Sequence, residues 1–272
     1  MLTRIIVGVV AAPLFIAVLV AAPPLWMAVM LSAITGVAAY ELLHATRAAA
    51  LTAVYPLTVC AAVSVPFIIL SGADGWALWL VALLLLAALF LIAVMSYEKE
   101  KHLTAEQVLY CLLAGFVYPA LLCALLRLRL LETGRFAVLL PVVVTFAADT
   151  GAYFTGMLLG KHRGITKVSP NKSAEGFVGG IVWGVGFLLL YALVLQNRFA
   201  VPVSFGRVAL YGLVGALMAE LGDLAFSLMK RQFGVKDYGK LLPGHGGMLD
   251  RFDSMSFVAP AVWILMTVLP AM

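Results

Sequence analysis

The chain has 272 residues, 64% of them hydrophobic and only 11% charged, with a net charge of +5 and a mean hydropathy of +1.08. A soluble domain is about 45–50% apolar and about 25% charged, so this composition excludes a water-soluble globular protein and points to an integral membrane protein. The pI near 9.2 needs no nucleic-acid partner, because a basic excess on one side of a membrane accounts for it.

Taken in chain order, nine apolar runs are long enough for membrane helices. They cover roughly 4–21, 24–42, 51–70, 76–95, 106–126, 135–159, 176–195, 207–229 and 254–271. A hydrocarbon core of ~30 Å needs about 20 residues of helix. Alternating strands of a membrane barrel are absent from the pattern, so helices are the expected spanning structure. The first run follows Arg4 and resembles a signal peptide, but proline stands where cleavage would fall and further runs follow, so it reads as a retained helix. Pro23-Pro24 marks the first tight turn. Cys60, Cys111 and Cys123 sit in apolar runs without metal-ligand or CxxC spacing and read as packing residues. The expectation is an all-α polytopic membrane protein, a single domain over residues 1–272 with about nine transmembrane helices.

Orientation follows from lysine and arginine. With the N-terminus in the cytoplasm, thirteen basic residues fall on the inside and five on the outside, namely Arg127, Arg129, Arg135, Arg198 and Arg207. That bias favours a cytoplasmic N-terminus and places both long polar loops, 160–175 and 230–253, in the cytoplasm.

Three carboxylates fall inside or at the end of apolar runs: Asp149, Glu220 and Asp223. An unpaired Asp at mid-span costs about 2.5–3.5 kcal/mol, so such groups need a partner, a cation or a water-filled cavity. At 100° per residue, Glu220, Asp223, Ser227, Lys230 and Arg231 occupy about 100° of arc on one helix. Thr145, Asp149, Tyr153, Gly156 and Gly160 fall within about 80° on another, where the glycines permit close approach. Two polar stripes opening toward basic loops suggest an intramembrane polar cavity facing the cytoplasm. The bland alternative is a set of structural ion pairs.

The loops supply the complementary charges. "GKHRGITKVSPNKSAEGFVGG" (160–180) carries four Lys/Arg with Ser and Gly near a helix start, a pattern suited to phosphate oxygens, although a plain cytoplasmic basic loop would look much the same. No Walker A loop is present. In 230–253, basic residues suit a polyphosphate, Asp250 and Asp253 suit a hard cation such as Mg²⁺, and His245 stands among glycines. Cation, polyphosphate and membrane cavity together fit phosphoryl or nucleotidyl transfer to a lipid.

The stretch "SLMKRQFGVKDYGKLLPGHGGMLDRFDS" resembles the signature of the phosphatidate cytidylyltransferases, also called CDP-diacylglycerol synthases. Ser227, Lys230-Arg231, Lys236-Asp237, Leu242-Pro243, His245-Gly246-Gly247, Asp250-Arg251 and Asp253 match it throughout. "DTGAYFTGMLLGKHRGITKVSPNKSAEG" is similar to the family's second characteristic stretch. The resemblance implies that CTP and phosphatidate give CDP-diacylglycerol and pyrophosphate in a membrane homodimer, in the inner membrane of a bacterium. It implies Asp223 and Asp250 as the leading Mg²⁺ ligands, with Asp149 and Asp253 available for a second cation, and Asp223, Asp250, Lys230 and Arg231 as the catalytic set. Lys167, Ser169, Lys172, Ser173, Ser227, Lys236, His245, Gly246, Gly247 and Arg251 complete the expected substrate-binding set. Phosphatidate brings its own nucleophilic oxygen, so no protein nucleophile is required, and charge neutralisation and positioning carry the reaction. Two rivals are a CTP-dependent lipid kinase, acting for example on a polyprenol, and an ion-coupled transporter, although the paired broken helices of transporters are not evident.

Overall fold

A computed structural model describes residues 2–47, 53–73, 75–164, 166–239, 241 and 246–272, with backbone alone over 2–10. Among these residues the secondary structure is helical, apart from an isolated antiparallel bridge between Arg163 and Ser173. The chain divides into two compact units, one of residues 1–126 and 232–252, the other of residues 127–231 and 253–272.

In the first unit, α1 (Leu2–Val20), α2 (Pro24–Ala45), α3 (Val54–Leu70) and α4 (Trp76–Ser96) follow in order. Pro24 opens α2 at its first turn, where a missing N–H leaves no intrahelical bond unmade. α2 and α3 are joined by polar contacts inside an apolar interface: Ser32 donates to the carbonyl of Val63 at 2.8 Å and Thr35 to that of Ala62 at 3.2 Å. Small hydroxyl residues are the usual adhesive between helices in lipid. α4 leaves Trp79, Leu83, Leu84, Leu91, Val94 and Met95 exposed, an apolar face of a size that water would penalise and hydrocarbon would not.

The run expected at 106–126 is one apolar segment but not one regular helix. α5 (Ala105–Leu112) is closed at its start by a capping box of Thr104 and Gln107. A π-helical turn then covers Leu113–Val117, followed by α6 (Tyr118–Leu122) and α7 (Ala124–Arg129). Pro119 explains the interruption, since it has no N–H to offer the preceding turn and its ring crowds the carbonyl there.

In the second unit, α8 (Gly134–Ala137) runs into α9 (Leu139–Leu159), and α10 (Ala174–Phe199), α11 (Phe205–Gln232) and α12 (Leu249–Val268) complete the chain, the last two reaching across the unit boundary at one end. α9 and α10 pack along glycines: a Cβ at Gly156 would meet Ser173 Oγ at 3.1 Å and Gly176 Cα at 3.6 Å. The close approach expected of the Gly156 face is therefore present. Tyr211 on α11 donates to the carbonyl of Leu265 on α12 at 3.2 Å, and the Arg127 guanidinium lies 4.8 Å from the centre of the Trp263 ring.

Among the described residues, six helical segments are long and apolar enough to cross a membrane: Pro24–Ala45, Trp76–Ser96, Ala105–Arg129, Gly134–Leu159, Ala174–Phe199 and Phe205–Gln232. The chain is an integral membrane protein. The other three expected runs also fall on helices: α1, α3, which has 17 residues, and α12, whose first turns carry Asp250, Arg251 and Asp253. Cys111 and Cys123 are buried and Cys60 is exposed, and none forms a disulfide.

Candidate active site

The polar stripe of α11 forms as the helical arithmetic requires, and its charges are organised by a lysine from the 160–173 loop. Lys172 Nζ lies 2.6 Å from Glu220 Oε2 and 2.6 Å from Asp223 Oδ2. The Glu220 side chain is 6% exposed, Lys172 24% and Asp223 33%, so the group grades from the protein interior to solvent along one helix turn. Ser227, one turn further on, approaches Asp223 Oδ1 at 3.5 Å, at the outer limit of a hydrogen bond. Asp149 on α9 interacts electrostatically with Asp253, Asp223, Glu220 and Lys172. Four carboxylates therefore share one lysine among the named groups, an excess of negative charge that favours a further cation.

Lys172 itself stays protonated. Burial alone would lower its pKa, but Asp223 and then Glu220 outweigh that effect and hold it above the ordinary value. α12 supplies Asp253, whose Oδ1 accepts the Ser254 N–H at 2.7 Å. α11 and α12 come close at Gly222, where a Cβ would meet the Asp253 carbonyl at 2.9 Å.

The 160–173 loop is a folded turn. Gly164 N–H donates to the Lys172 carbonyl at 3.0 Å, and Ala174 N–H to that of His162 at 3.0 Å. Gly164 has φ of +74°, a backbone conformation that suits glycine. Ser173 caps α10, its Oγ accepting the Gly176 N–H at 3.1 Å. This hydroxyl, expected to touch substrate, is buried and serves the helix start. Lys172, expected to touch phosphate, is held by two carboxylates. Arg231 approaches the Val168 carbonyl through Nε at 3.4 Å, which ties the end of α11 to the loop that bears Lys167 and Ser169. Lys167 is exposed, and Lys230 and Ser169 are half-buried.

A second group lies in the other unit. Asp250, in the first turn of α12, accepts the Tyr238 N–H at 2.8 Å and the Gly247 N–H at 3.0 Å on the same oxygen, Oδ2. Gly246 lies beside it: a Cβ there would be 3.2 Å from Asp250 Oδ2 and 3.5 Å from Asp237 Oδ1. Lys236 and Arg251 are exposed. His245, named from the signature, lies outside the described residues.

Glu41 is the functional-site residue that sequence reasoning passed over. It is 5% exposed, and its two carboxylate oxygens accept the N–H groups of Met248 and Leu249 at 3.0 and 2.9 Å. The available signal was an acid near the end of an apolar run, "AAYELLHA", of the same kind that singled out Glu220.

Among the described residues no three His, Cys, Asp or Glu side chains converge into a ready-made metal cage. Magnesium seldom needs one, since it is usually held by one or two carboxylates together with water and substrate phosphates. The all-oxygen donors of this site fit that habit.

The family pattern described as the Cytidylyltransferase family matches residues 2–269, and the chain belongs to that family. It is 44% identical over 129 residues to the phosphatidate cytidylyltransferase of Staphylococcus epidermidis, covering 47% of this chain and 48% of that one. The enzyme of the same name from Bacillus subtilis is 44% identical over 124 residues, covering 46% and 45%. That from Thermotoga maritima is 42% identical over 139 residues, covering 51% and 52%. The chain thus spans about half the length of the curated relatives it matches.

Proposed function

We propose that this protein is a phosphatidate cytidylyltransferase, joining the cytidylyl group of CTP to phosphatidate and releasing pyrophosphate. The observation that carries this reading is the Lys172–Glu220–Asp223 cluster, in which a lysine of a basic loop holds one buried and one partly exposed carboxylate on a helix apolar enough to cross a membrane. A phosphate oxygen of phosphatidate attacks the α-phosphorus of CTP. The new P–O bond forms as the bond to the β-phosphate oxygen breaks, and that electron pair leaves with pyrophosphate. Atoms balance without a protein nucleophile or a redox partner.

In this reading Asp223 and Asp250 are the carboxylates for magnesium, each by its place in the signature, with Asp149 and Asp253 offering oxygens to a second cation. Magnesium, when bound, neutralises charge on the α-phosphate and the leaving group. Lys172 fixes the rotamer of Asp223 and offsets part of its charge. Lys230, Arg231, Lys236, Lys167 and Arg251 draw two polyanions together that would otherwise repel each other. Ser169, Ser227 and His245 orient the phosphates, and Gly246 and Gly247 shape the turn beside Asp250 that faces them.

The rest of the proposal concerns the frame. Nine helices span a bacterial inner membrane with the N-terminus and both polar loops in the cytoplasm, around a polar cavity open to that side. The two units act as one cytidylyltransferase domain, supported by a family match that runs through both. The protein works as a homodimer, and no nucleic acid takes part.

The test uses purified protein in detergent with phosphatidate, α-labelled CTP and Mg²⁺. Label entering the lipid fraction, and lost on adding EDTA, is the expected result. Release of CDP with an unlabelled phosphorylated lipid would replace this reading with a lipid kinase. Neither product from folded protein would replace it with a transporter.

A further inference from the structure

The segment that leads into α12 is gripped from two sides within one unit. From the α12 side, Asp250 Oδ2 accepts the N–H groups of Tyr238 and Gly247. From α2, the buried Glu41 carboxylate accepts those of Met248 and Leu249, its partners more than 200 residues away in the chain. Leu249 opens α12 and Met248 immediately precedes it, the positions at a helix start where backbone N–H groups have no partner inside the helix. The charge of Glu41 also sits at the positive end of the α12 dipole. That helix start is therefore already occupied by a protein carboxylate and is not a vacant phosphate cradle.

The signature glycines take on a different meaning in this light. A Cβ at Gly239 would run into Glu41 Oε1, and one at Gly247 would stand 2.5 Å from Glu41 Oε2. Both glycines clear space for this carboxylate.

We propose, resting on the cytidylyl-transfer reading above, that Glu41 is a positioning residue for the reaction. It touches neither substrate. By locking the entry to α12 against α2, it sets the direction in which Asp250 and Arg251 leave the helix start. A group that acts by presenting others to the transition state lowers kcat and kcat/KM together and leaves the KM for CTP nearly unchanged.

The test compares E41Q, E41D and G247A in the full-length protein by amide hydrogen exchange and by CTP and phosphatidate kinetics. Gln has nearly the shape of Glu but puts an NH₂ group against a backbone donor, so exchange at Met248 and Leu249 should quicken by about tenfold or more, and kcat should fall by a similar factor. E41D should recover part of both. G247A, with the carboxylate intact but crowded, should reproduce both effects. Unchanged kcat in folded E41Q would overturn the proposal, and so would a loss of kcat with exchange at 248 and 249 unaltered. If the unmodified protein makes no CDP-diacylglycerol, the activity reading fails by itself, and unaltered exchange in E41Q would then sink the cradle independently.

Discussion

Lys172 and Asp223 form an ion pair with Nζ 2.6 Å from Oδ2, and the same nitrogen is 2.6 Å from Glu220. One cation thus serves two acids of unequal burial, and removing it is worse than removing either acid. K172M leaves Glu220 charged and almost fully buried, and breaking a pair in that way costs about 3 kcal/mol, the low end for a buried pair because Asp223 remains partly hydrated. E220Q should cost less, about 1 kcal/mol, since Lys172 keeps Asp223 as a partner. Thermal unfolding in detergent should rank the two variants in that order. The reverse order would mean that Glu220 is held by something other than Lys172.

The same pair sets a pH window. The Lys172 pKa is raised in the folded protein above its ordinary value of 10.5, with Asp223 and Glu220 overcoming the opposing effect of burial. A lysine whose folded pKa exceeds its unfolded one gives stability that is whole below the unfolded value and lost as pH rises through the folded one. The gap in unfolding temperature between wild type and K172M should therefore stay level from neutral pH upward and narrow only above the ordinary lysine range. A gap that closes below pH 9 would show that Lys172 loses its proton early.

Ser173 allows a cap to be distinguished from a substrate contact. Its hydroxyl accepts the Gly176 N–H at the start of α10, and loss of such a cap costs about 1 kcal/mol. S173A should lower the unfolding temperature, and its turnover measured well below that temperature should stay within about threefold of wild type. A larger loss of turnover at unchanged stability would show that Ser173 meets the substrate as well as capping α10.

Asp223 and Asp250 should both prove essential, for reasons that separate on substitution. D223N and D250N each abolish turnover while the protein remains folded, because the amide keeps the shape and removes the charge a cation needs. D250A should do more: with no oxygen to receive the Tyr238 and Gly247 N–H groups, amide exchange in that segment should quicken in D250A and stay slow in D250N. Near-normal rates for either Asn variant at saturating Mg²⁺ would remove that residue from the metal assignment.

What could be read from the sequence here was whatever depends on short spacing. The α11 stripe is an example, since Glu220, Asp223 and Ser227 follow from helix geometry alone, and the expected runs all fall on helices. Partners distant in the chain could not be read: nothing local to "SPNKSAEG" says that Lys172 turns toward two carboxylates and Ser173 toward its own helix. Glu41 escaped for the same reason, its role being defined by backbone N–H groups that every sequence possesses. The glycines at 239 and 247 give no local sign of the Glu41 carboxylate that fills the space beside them. The break of the 105–129 helix could have been anticipated from Pro119, yet a long apolar run masks such a break because hydropathy is blind to hydrogen bonding.

Gly222 ties stability to the site most directly. It stands beside Asp223 on α11, and a Cβ there would lie 2.9 Å from the Asp253 carbonyl and 3.0 Å from Ser254 Cα. Both are backbone atoms of a helix, which cannot swing aside as a side chain end can, so G222A must push α11 and α12 apart and turn Asp223 away from its Lys172 partner. Overpacking of this kind costs about 1–3 kcal/mol. Gly186 on α10 is the control, an exposed helical glycine with nothing within 4 Å of a Cβ. G186A should be neutral or stabilising by about 0.5–1 kcal/mol, the usual gain of alanine over glycine in a helix. Turnover should fall in G222A and hold in G186A. Equal unfolding temperatures and equal turnover for the two variants would mean that α11 and α12 are free to separate, and that Asp223 does not depend on the α12 backbone for its position.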